Sequence, residues 1–190
     1  IEPEILSAAA LYSPSTGIID SHEFMLALLG DAEEHGAMLA VNSKVINGRI
    51  EKDGIVLQVG VGINGAENYE VCATKRVINC AGLYASKITQ SIHGIGQSNI
   101  QQIPETYFYK GNYFVLRGEG SPFKHLIYPV PVGGGLGIHS TMDLSGKTRF
   151  GPDVEFVDKL DYEVSVDRLG DFVQAIKRYW PDVAMGDLEP

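Results

Sequence analysis

A chain of 190 residues, 44% apolar and 21% charged, has the composition of a globular protein with a sizeable core and not of a disordered chain. Its formal net charge of −9 argues against a nucleic-acid partner, because binding a duplex requires a basic surface. No apolar run approaches the ~20 residues that a transmembrane helix needs. The two cysteines, Cys72 and Cys80, lack CxxC spacing, and we expect two buried thiols in a reducing compartment.

The first predicted element is a helix with Ser21 as its N-cap and Gly36 at its end. Its predicted inward face consists of apolar residues at helical spacing, namely Phe24, Met25, Leu28, Leu29 and Ala32. Short strands follow. Asn47-Gly48 and Asp53-Gly54 are turn signals, and residues 55–61 alternate as a strand does.

A further turn at Asn64-Gly65 leads into two predicted strands, 69–73 and 76–80. A helix is then expected from about Leu83, because apolar residues recur there at 3-4-3 spacing: Ala85, Ile88, Ile92 and Ile95. The polar segment 96–106 is the best internal boundary.

The second half of the chain is mostly strand in prediction, with strands over 107–117, 126–132, 136–142 and 148–156. The last predicted element is a helix from about Val166, which Pro181 stops. Its inward residues are Leu169, Phe172, Val173, Ile176 and Trp180.

Three glycine-containing segments imitate phosphate-binding loops. GVGING at 60–65 matches G-x-G-x-x-G, but strand-like residues follow it where a helix is required, so it predicts a hairpin. SGKT at 145–148 lacks the first glycine of a phosphate loop, and a turn at Ser145-Gly146 explains it better. The run 133–135 has strand-like residues on both sides, and no cluster of His, Cys and carboxylates has metal-ligand spacing.

Several segments together resemble the FAD-dependent oxidoreductases of the D-amino acid oxidase-like superfamily. They are LYSPSTGIIDSHEFMLALLGDAEEHGA, SKVINGRI, KRVINCAGLYAS, KGNYFVLRG and LIYPVPVGGGLGIHSTMDLSGKTRFGPDVE. The narrower resemblance is to L-2-hydroxyglutarate dehydrogenases (oxidases), through SPSTGIID, KGNYF and the YPVP, GLGIHST and GPDVE series. The resemblance covers nearly the whole chain.

The resemblance implies an α+β (α/β) fold in which part of an FAD/NAD(P)-binding domain is interleaved with a mostly antiparallel substrate-domain sheet. Residues 1–36 would be a connecting segment and helix, and 37–95 the middle part of the FAD-binding domain. Residues 96–165 would form the substrate-binding sheet, and 166–190 a C-terminal helix. We expect a piece of a longer protein, without the family's N-terminal GxGxxG and C-terminal FAD segment, that by itself binds FAD poorly.

The resemblance also implies roles for individual residues. Val45 would pass the adenine end of FAD, and Ala81 and Gly82 would approach its phosphates, where a glycine leaves room for close backbone approach. His139 would be the catalytic base, since the histidine pKa is ordinarily near neutrality.

Tyr128, Arg149 and Lys110 would bind substrate, with Arg149 preferred because a guanidinium grips a carboxylate through two parallel hydrogen bonds. Lys147 and His125 are the other cations of this half, and His22 is a weaker candidate. Each of the cations could instead be a solvated surface charge.

The implied reaction is oxidation of a 2-hydroxy acid, L-2-hydroxyglutarate to 2-oxoglutarate, by hydride transfer to flavin N5. The alternatives are an amine oxidase of the glycine or sarcosine type, a glycerol-3-phosphate dehydrogenase of the same superfamily, and a non-catalytic binding module. We expect a small-molecule 2-hydroxy acid as partner, oxygen or a quinone as electron acceptor, and a cytoplasmic protein or one peripheral to the inner membrane.

Overall fold

The computed structural model describes residues 1–62, 67–73, 76–95, 103–118, 120–131 and 137–190. The chain divides into two compact units, one of Ile1–Asp31 with Phe108–Pro190 and the other of Ala32–Tyr107. Each unit contains a four-stranded, mostly antiparallel sheet, and helices accompany both, which confirms the expected α+β class. No helix within the described ranges is long and apolar enough to cross a membrane. The functional boundaries at 36, 95 and 165 stay predictions.

The sheet of the smaller unit has the order β3-β2-β1-β4, with strands β1 Ser43–Glu51, β2 Gly54–Val61, β3 Glu67–Ala73 and β4 Ile92–His93. Asp53-Gly54 connects β1 to β2, as predicted. The predicted turn at Asn47-Gly48 is wrong, because Gly48 lies within β1, just after a register shift. A Cβ on Gly48 would be 2.8 Å from the Val56 carbonyl oxygen, so the glycine serves close strand packing instead.

The β2–β3 pairing decides between the two interpretations of GVGING. Val61 pairs with Glu67 in an antiparallel ladder, which confirms the hairpin, although 63–66 and hence Asn64-Gly65 lie outside the described residues. The predicted strand 76–80 is wrong, since these residues join no ladder within the described chain. Its Cys80 is exposed, contrary to prediction, whereas the side chain of Cys72 lies outside the description.

Two predicted helices differ from the observed ones. In α1, Ser21–Glu34, the capping side chain is Asp20 and not Ser21, since an Asp20 carboxylate oxygen accepts from two amides at 2.9 and 3.0 Å. No α1 residue is buried, because periodicity shows which face is apolar and not what covers it. Helix α2, Ala85–Gln90, ends before Ile92, which is buried in β4.

The sheet of the larger unit has the order β6-β7-β5-β8, with strands β5 Phe108–Leu116, β6 His139–Met142, β7 Thr148–Val157 and β8 Leu188–Glu189. Helix α3, Leu169–Lys177, follows a 3-10 turn at Val166–Arg168 and packs on one face of this sheet, as its apolar spacing predicted. The core between them includes Phe114, Phe150, Phe172, Val173 and Ile176. We call the face that meets α3 the core face.

The connections of β6 correct one prediction and confirm another. The predicted strand 126–132 is wrong over its described part, residues 126–131, because only Ile127 forms a bridge, to Ser140. Residues 132–136, including the glycine run, lie outside the described residues. The SGKT turn is confirmed. The carboxylate of Asp143 accepts from the amides of Ser145 and Lys147 at 2.9 and 3.0 Å and closes the β6–β7 turn.

Candidate active site

The pairing of β6 with β7 places His139 and Arg149 on one face of the sheet. His139 lies opposite Gly151 and Thr141 opposite Arg149, and residues two apart on a strand share a face. Ser140 and Phe150, which alternate with them, are fully buried on the core face. His139, Thr141, Arg149 and Gly151 therefore lie on the opposite face, which we call the outer face.

His139 is a buried imidazole on the outer face, 6% exposed. The ring of Tyr128 stacks on it at 4.4 Å with 13° between the planes, although Tyr128 is not in a strand. Burial lowers the pKa of His139. The neutral imidazole thus favoured near pH 7 is the form that accepts a proton.

The surroundings of His139 hold its imidazole ring in place. Its Nδ1 is buried and has no partner of hydrogen-bond geometry among the described residues. The hydroxyl of Tyr179 donates to the carbonyl oxygen of Ile138 at 3.2 Å, which ties the start of β6 to the core. Ser140 Oγ and Thr148 Oγ1, in β6 and β7, are also buried without a partner in the described part of the chain, so this feature by itself does not mark a functional site.

Tyr113 is an outer-face residue that the sequence pattern did not single out. Asn112 pairs with Asp153 and Phe114 with Phe150, so Gly151 and Pro152 together oppose Tyr113 alone in a β-bulge. The Tyr113 ring covers Gly151, directly across from His139. Burial, and then the neighbouring Tyr128, raise the pKa of Tyr113. The only sequence signal was its place in KGNYF, which does not show the direction of the ring.

Arg149 provides a cation on the outer face. Its side chain is 53% exposed, and its nearest acidic neighbour is Asp143, with 3.7 Å between Nη2 and Oδ2. This ion pair is long and solvated, so it holds the guanidinium weakly. The outer face thus combines a neutral buried histidine, two tyrosines and an available arginine.

The family model for FAD dependent oxidoreductases (DAO) matches residues 1–190. The chain belongs to this family of FAD-dependent oxidoreductases. Members of the family use FAD, and the predicted superfamily and cofactor class are therefore confirmed.

Individual relatives narrow the comparison. The chain is 34% identical to the mitochondrial L-2-hydroxyglutarate dehydrogenase of Arabidopsis thaliana over 100% of its length and 46% of that protein. It is 31% identical to a glycerol 3-phosphate dehydrogenase of Caloramator mitchellensis, over 89% of the chain and 32% of the relative. The chain thus spans about a third to a half of the length of these relatives.

A solved structure supports the fold independently. The L-alpha-glycerophosphate oxidase of Mycoplasma pneumoniae, with FAD bound, superimposes with a TM-score of 0.64 over 86% of this chain and 40% of that protein. At 20% identity this likeness shows that the DAO oxidoreductase fold is shared.

The predicted FAD-contacting residues lie in the smaller unit. Gly82 has φ +54, and a Cβ built on it would meet no atom within 4 Å, so its backbone is open to a ligand. Asn79 braces the segment, accepting from the Ala81 amide at 3.1 Å and donating to the Ala85 carbonyl at 2.8 Å. Val45 is half-buried in β1. An open, braced glycine fits the approach of a cofactor phosphate, so these residues are compatible with a DAO-family flavin site.

Lys110 lies away from the outer-face residues. It shares the core face with Phe114, four residues along β5, and its side chain is 11% exposed. Its Nζ is 3.0 Å from Asp161 Oδ2 and also donates to the Glu163 carbonyl. The structure does not bring Lys110 together with His139, and the contacts of Lys110 indicate a structural ion pair. Its substrate-binding role stays a prediction.

The other candidate cations have different surroundings. The Nδ1 atom of His125 is 2.5 Å from Glu2 Oε1, and the imidazole ring packs edge-on against Tyr12. His22 is exposed in the first turn of α1. The Lys147 amide takes part in the Asp143 turn. Of these candidate cations, all within the described ranges, Arg149 is the one that the β6–β7 register places on the same face as His139.

Proposed function

We propose that the protein is an FAD-dependent oxidoreductase that oxidises a 2-hydroxy acid, L-2-hydroxyglutarate, to the 2-oxo acid. The observation that carries the proposal is that a buried histidine and an exposed arginine lie on one face of the larger sheet. The substrate is suggested by the relative that is 34% identical over the whole chain and is named for L-2-hydroxyglutarate.

His139 supplies the base of the proposed reaction. Oxidation of the substrate removes a hydride from C2 and a proton from the hydroxyl oxygen, leaving a C2 carbonyl. FAD supplies the hydride acceptor when it is bound. His139 takes the hydroxyl proton, since its lowered pKa keeps the imidazole unprotonated and the stacked Tyr128 ring holds it in place.

Arg149 provides the charge that a dicarboxylate requires. The chain carries a net charge of −9, so attraction of a dianion has to be local. Because the Asp143 ion pair is long and exposed, a substrate carboxylate can replace it and form two parallel hydrogen bonds with the guanidinium. Tyr128 forms the wall beside the base.

A substrate panel tests the reaction class in the holoenzyme. L-2-hydroxyglutarate, D-2-hydroxyglutarate, glycerol 3-phosphate and sarcosine are added anaerobically, and loss of flavin absorbance is followed. We expect bleaching by L-2-hydroxyglutarate at a rate well above the others. Bleaching by glycerol 3-phosphate alone would support the second candidate, which the Caloramator mitchellensis relative and the glycerophosphate oxidase fold favour.

The base assignment has its own test. His139→Gln removes the proton acceptor, and we expect flavin reduction to slow by about 10²–10⁴-fold. The control is His93→Gln in β4, an exposed histidine to which we assign no role. Reduction of the His139→Gln holoenzyme within a few-fold of the parent rate would remove His139 from the mechanism.

A further inference from the structure

We propose that Tyr113 is a second substrate-binding residue and that Gly151 is the residue that positions it. The proposal rests on the proposed function, since it assigns the substrate's second carboxylate to the Tyr113 hydroxyl. It begins from the β-bulge at which Gly151 and Pro152 oppose Tyr113.

Gly151 provides the space that the Tyr113 ring occupies. A Cβ on residue 151 would lie 2.6 Å from Tyr113 Cδ1, 2.9 Å from its Cγ and 2.6 Å from the Asn112 carbonyl oxygen. These are closer than real Cβ contacts, and the oxygen belongs to the backbone of the paired strand, which cannot yield easily. Gly151 also has φ +148, which side chains rarely adopt. Any other residue here would move the Tyr113 ring.

The position of Tyr113 agrees better with binding than with packing. The core lies on the other face, where Phe114 is fully buried, whereas Tyr113 remains 38% exposed. Its ring covers the residue directly opposite His139, and Tyr128 is near enough to raise its pKa further. Three rings therefore border one patch of the outer face.

The chemistry of this patch favours an anionic ligand group. The phenol of Tyr113, like that of any tyrosine, is protonated at neutral pH and can donate a hydrogen bond. Arg149 lies on the same face, so the two donors can each take one carboxylate of a dicarboxylate while His139 meets the hydroxyl. A monocarboxylate 2-hydroxy acid would use only one of these donors.

Tyr113→Phe in the holoenzyme tests the binding role, because it removes the hydroxyl and keeps the ring. Binding of 2-oxoglutarate is measured by calorimetry, and kcat and KM for L-2-hydroxyglutarate are measured separately. We expect Kd and KM to rise about 10–100-fold with a smaller change in kcat, the range for loss of a hydrogen bond to a charged group. L-lactate has one carboxylate, so its kcat/KM should be the same for Tyr113→Phe and for the parent enzyme.

The matched control is Tyr109→Phe. Tyr109 lies four residues earlier on β5, is more exposed and packs against Phe156, so its hydroxyl should not affect Kd. Unchanged 2-oxoglutarate binding in Tyr113→Phe would overturn the proposal. Failure of L-2-hydroxyglutarate to reduce the parent holoenzyme would instead contradict the proposed function, so the two failures are distinguishable.

Gly151→Ala tests the positioning role. If Gly151 acts through Tyr113, Gly151→Ala should weaken 2-oxoglutarate binding, and Gly151→Ala with Tyr113→Phe should bind no more weakly than the worse single variant. If the losses of 2-oxoglutarate affinity in the two single variants multiply in the double variant, Gly151 does not act through Tyr113. Tyr113→Phe keeps Gly151 and decides the binding role of Tyr113 whether or not Gly151→Ala folds.

Discussion

Gly151→Ala should destabilise the larger unit by about 2–6 kcal/mol. The backbone contribution is about 1–3 kcal/mol, because φ +148 is a conformation that side chains rarely adopt. The steric contribution is about 1–3 kcal/mol, because the new methyl group would lie 2.6 Å from both a paired-strand carbonyl oxygen and the Tyr113 ring. Partial relaxation of the ring would move the total toward the lower end.

Two other glycines separate these contributions. Gly146 has φ +84 but open space around a Cβ, so Gly146→Ala should cost only the backbone contribution, about 1–2 kcal/mol. Gly170, in α3, has neither restriction, so Gly170→Ala should stabilise by about 0.5–1 kcal/mol. The predicted order of unfolding free energy is Gly170→Ala, parent, Gly146→Ala and Gly151→Ala.

Urea unfolding followed by tryptophan fluorescence measures this order. Trp180 is the only tryptophan of the chain, and it stacks on Phe150, the neighbour of Gly151, at 5.9 Å. The fluorescence therefore reports on the sheet that carries the substitution. Equal free energies of unfolding for Gly151→Ala and Gly146→Ala would refute the steric part of the reasoning.

Three further predictions concern charge and capping. Arg168→Ala breaks two ion pairs at 2.5 and 2.6 Å and should lower the unfolding free energy by about 1–3 kcal/mol. Arg117→Ala breaks an exposed pair at 3.7 Å and should change it by less than about 0.5 kcal/mol. Equal losses for the two variants in urea titrations would contradict this difference. The pKa of His139 is lower in the folded state than in the unfolded state, so on acidification the unfolded state takes up the proton at a higher pH. The free energy of unfolding should therefore fall as the pH drops below about 6.5 and level off below the pKa of the folded state. His139→Gln should flatten that slope in unfolding curves from pH 7.5 to 5, and an unchanged slope would show that another group causes it. Asp20→Ala should remove the α1 cap and lower the unfolding free energy by about 0.5–2 kcal/mol, with a loss of helical circular dichroism. Ser21→Ala should lower the unfolding free energy by less. A larger loss for Ser21→Ala would show that Ser21 is the cap.

Much of the fold was predictable because it depends on local pattern. The alternation in β2, the Asp53-Gly54 and Ser145-Gly146 turns and the apolar stripe of α3 all appear where periodicity and turn chemistry placed them. The errors arose where pairing overrode a local signal. Asn47-Gly48 has turn composition, yet strand pairing continues through it because the glycine allows close packing.

The candidate site was predictable only in part. His139 and Arg149 were named from the resemblance, and their spacing of ten residues spans a hairpin whose register places them on one face. Lys110 has the right charge, but the register of β5 turns it to the core face and toward Asp161. Whether a strand residue faces the core or the substrate depends on register, which composition does not encode.

The sequence by itself determined the family, the cofactor class and the residue types available for the proposed site, because motifs and periodicity are local properties of the chain. Only the tertiary structure decided which side chains share a face. The bulge at Gly151 and Pro152 joins strands about 40 residues apart and places the Tyr113 ring over Gly151, the residue opposite His139. A contact of that separation depends on strand register and on the absence of a single Cβ, and no local pattern specifies either.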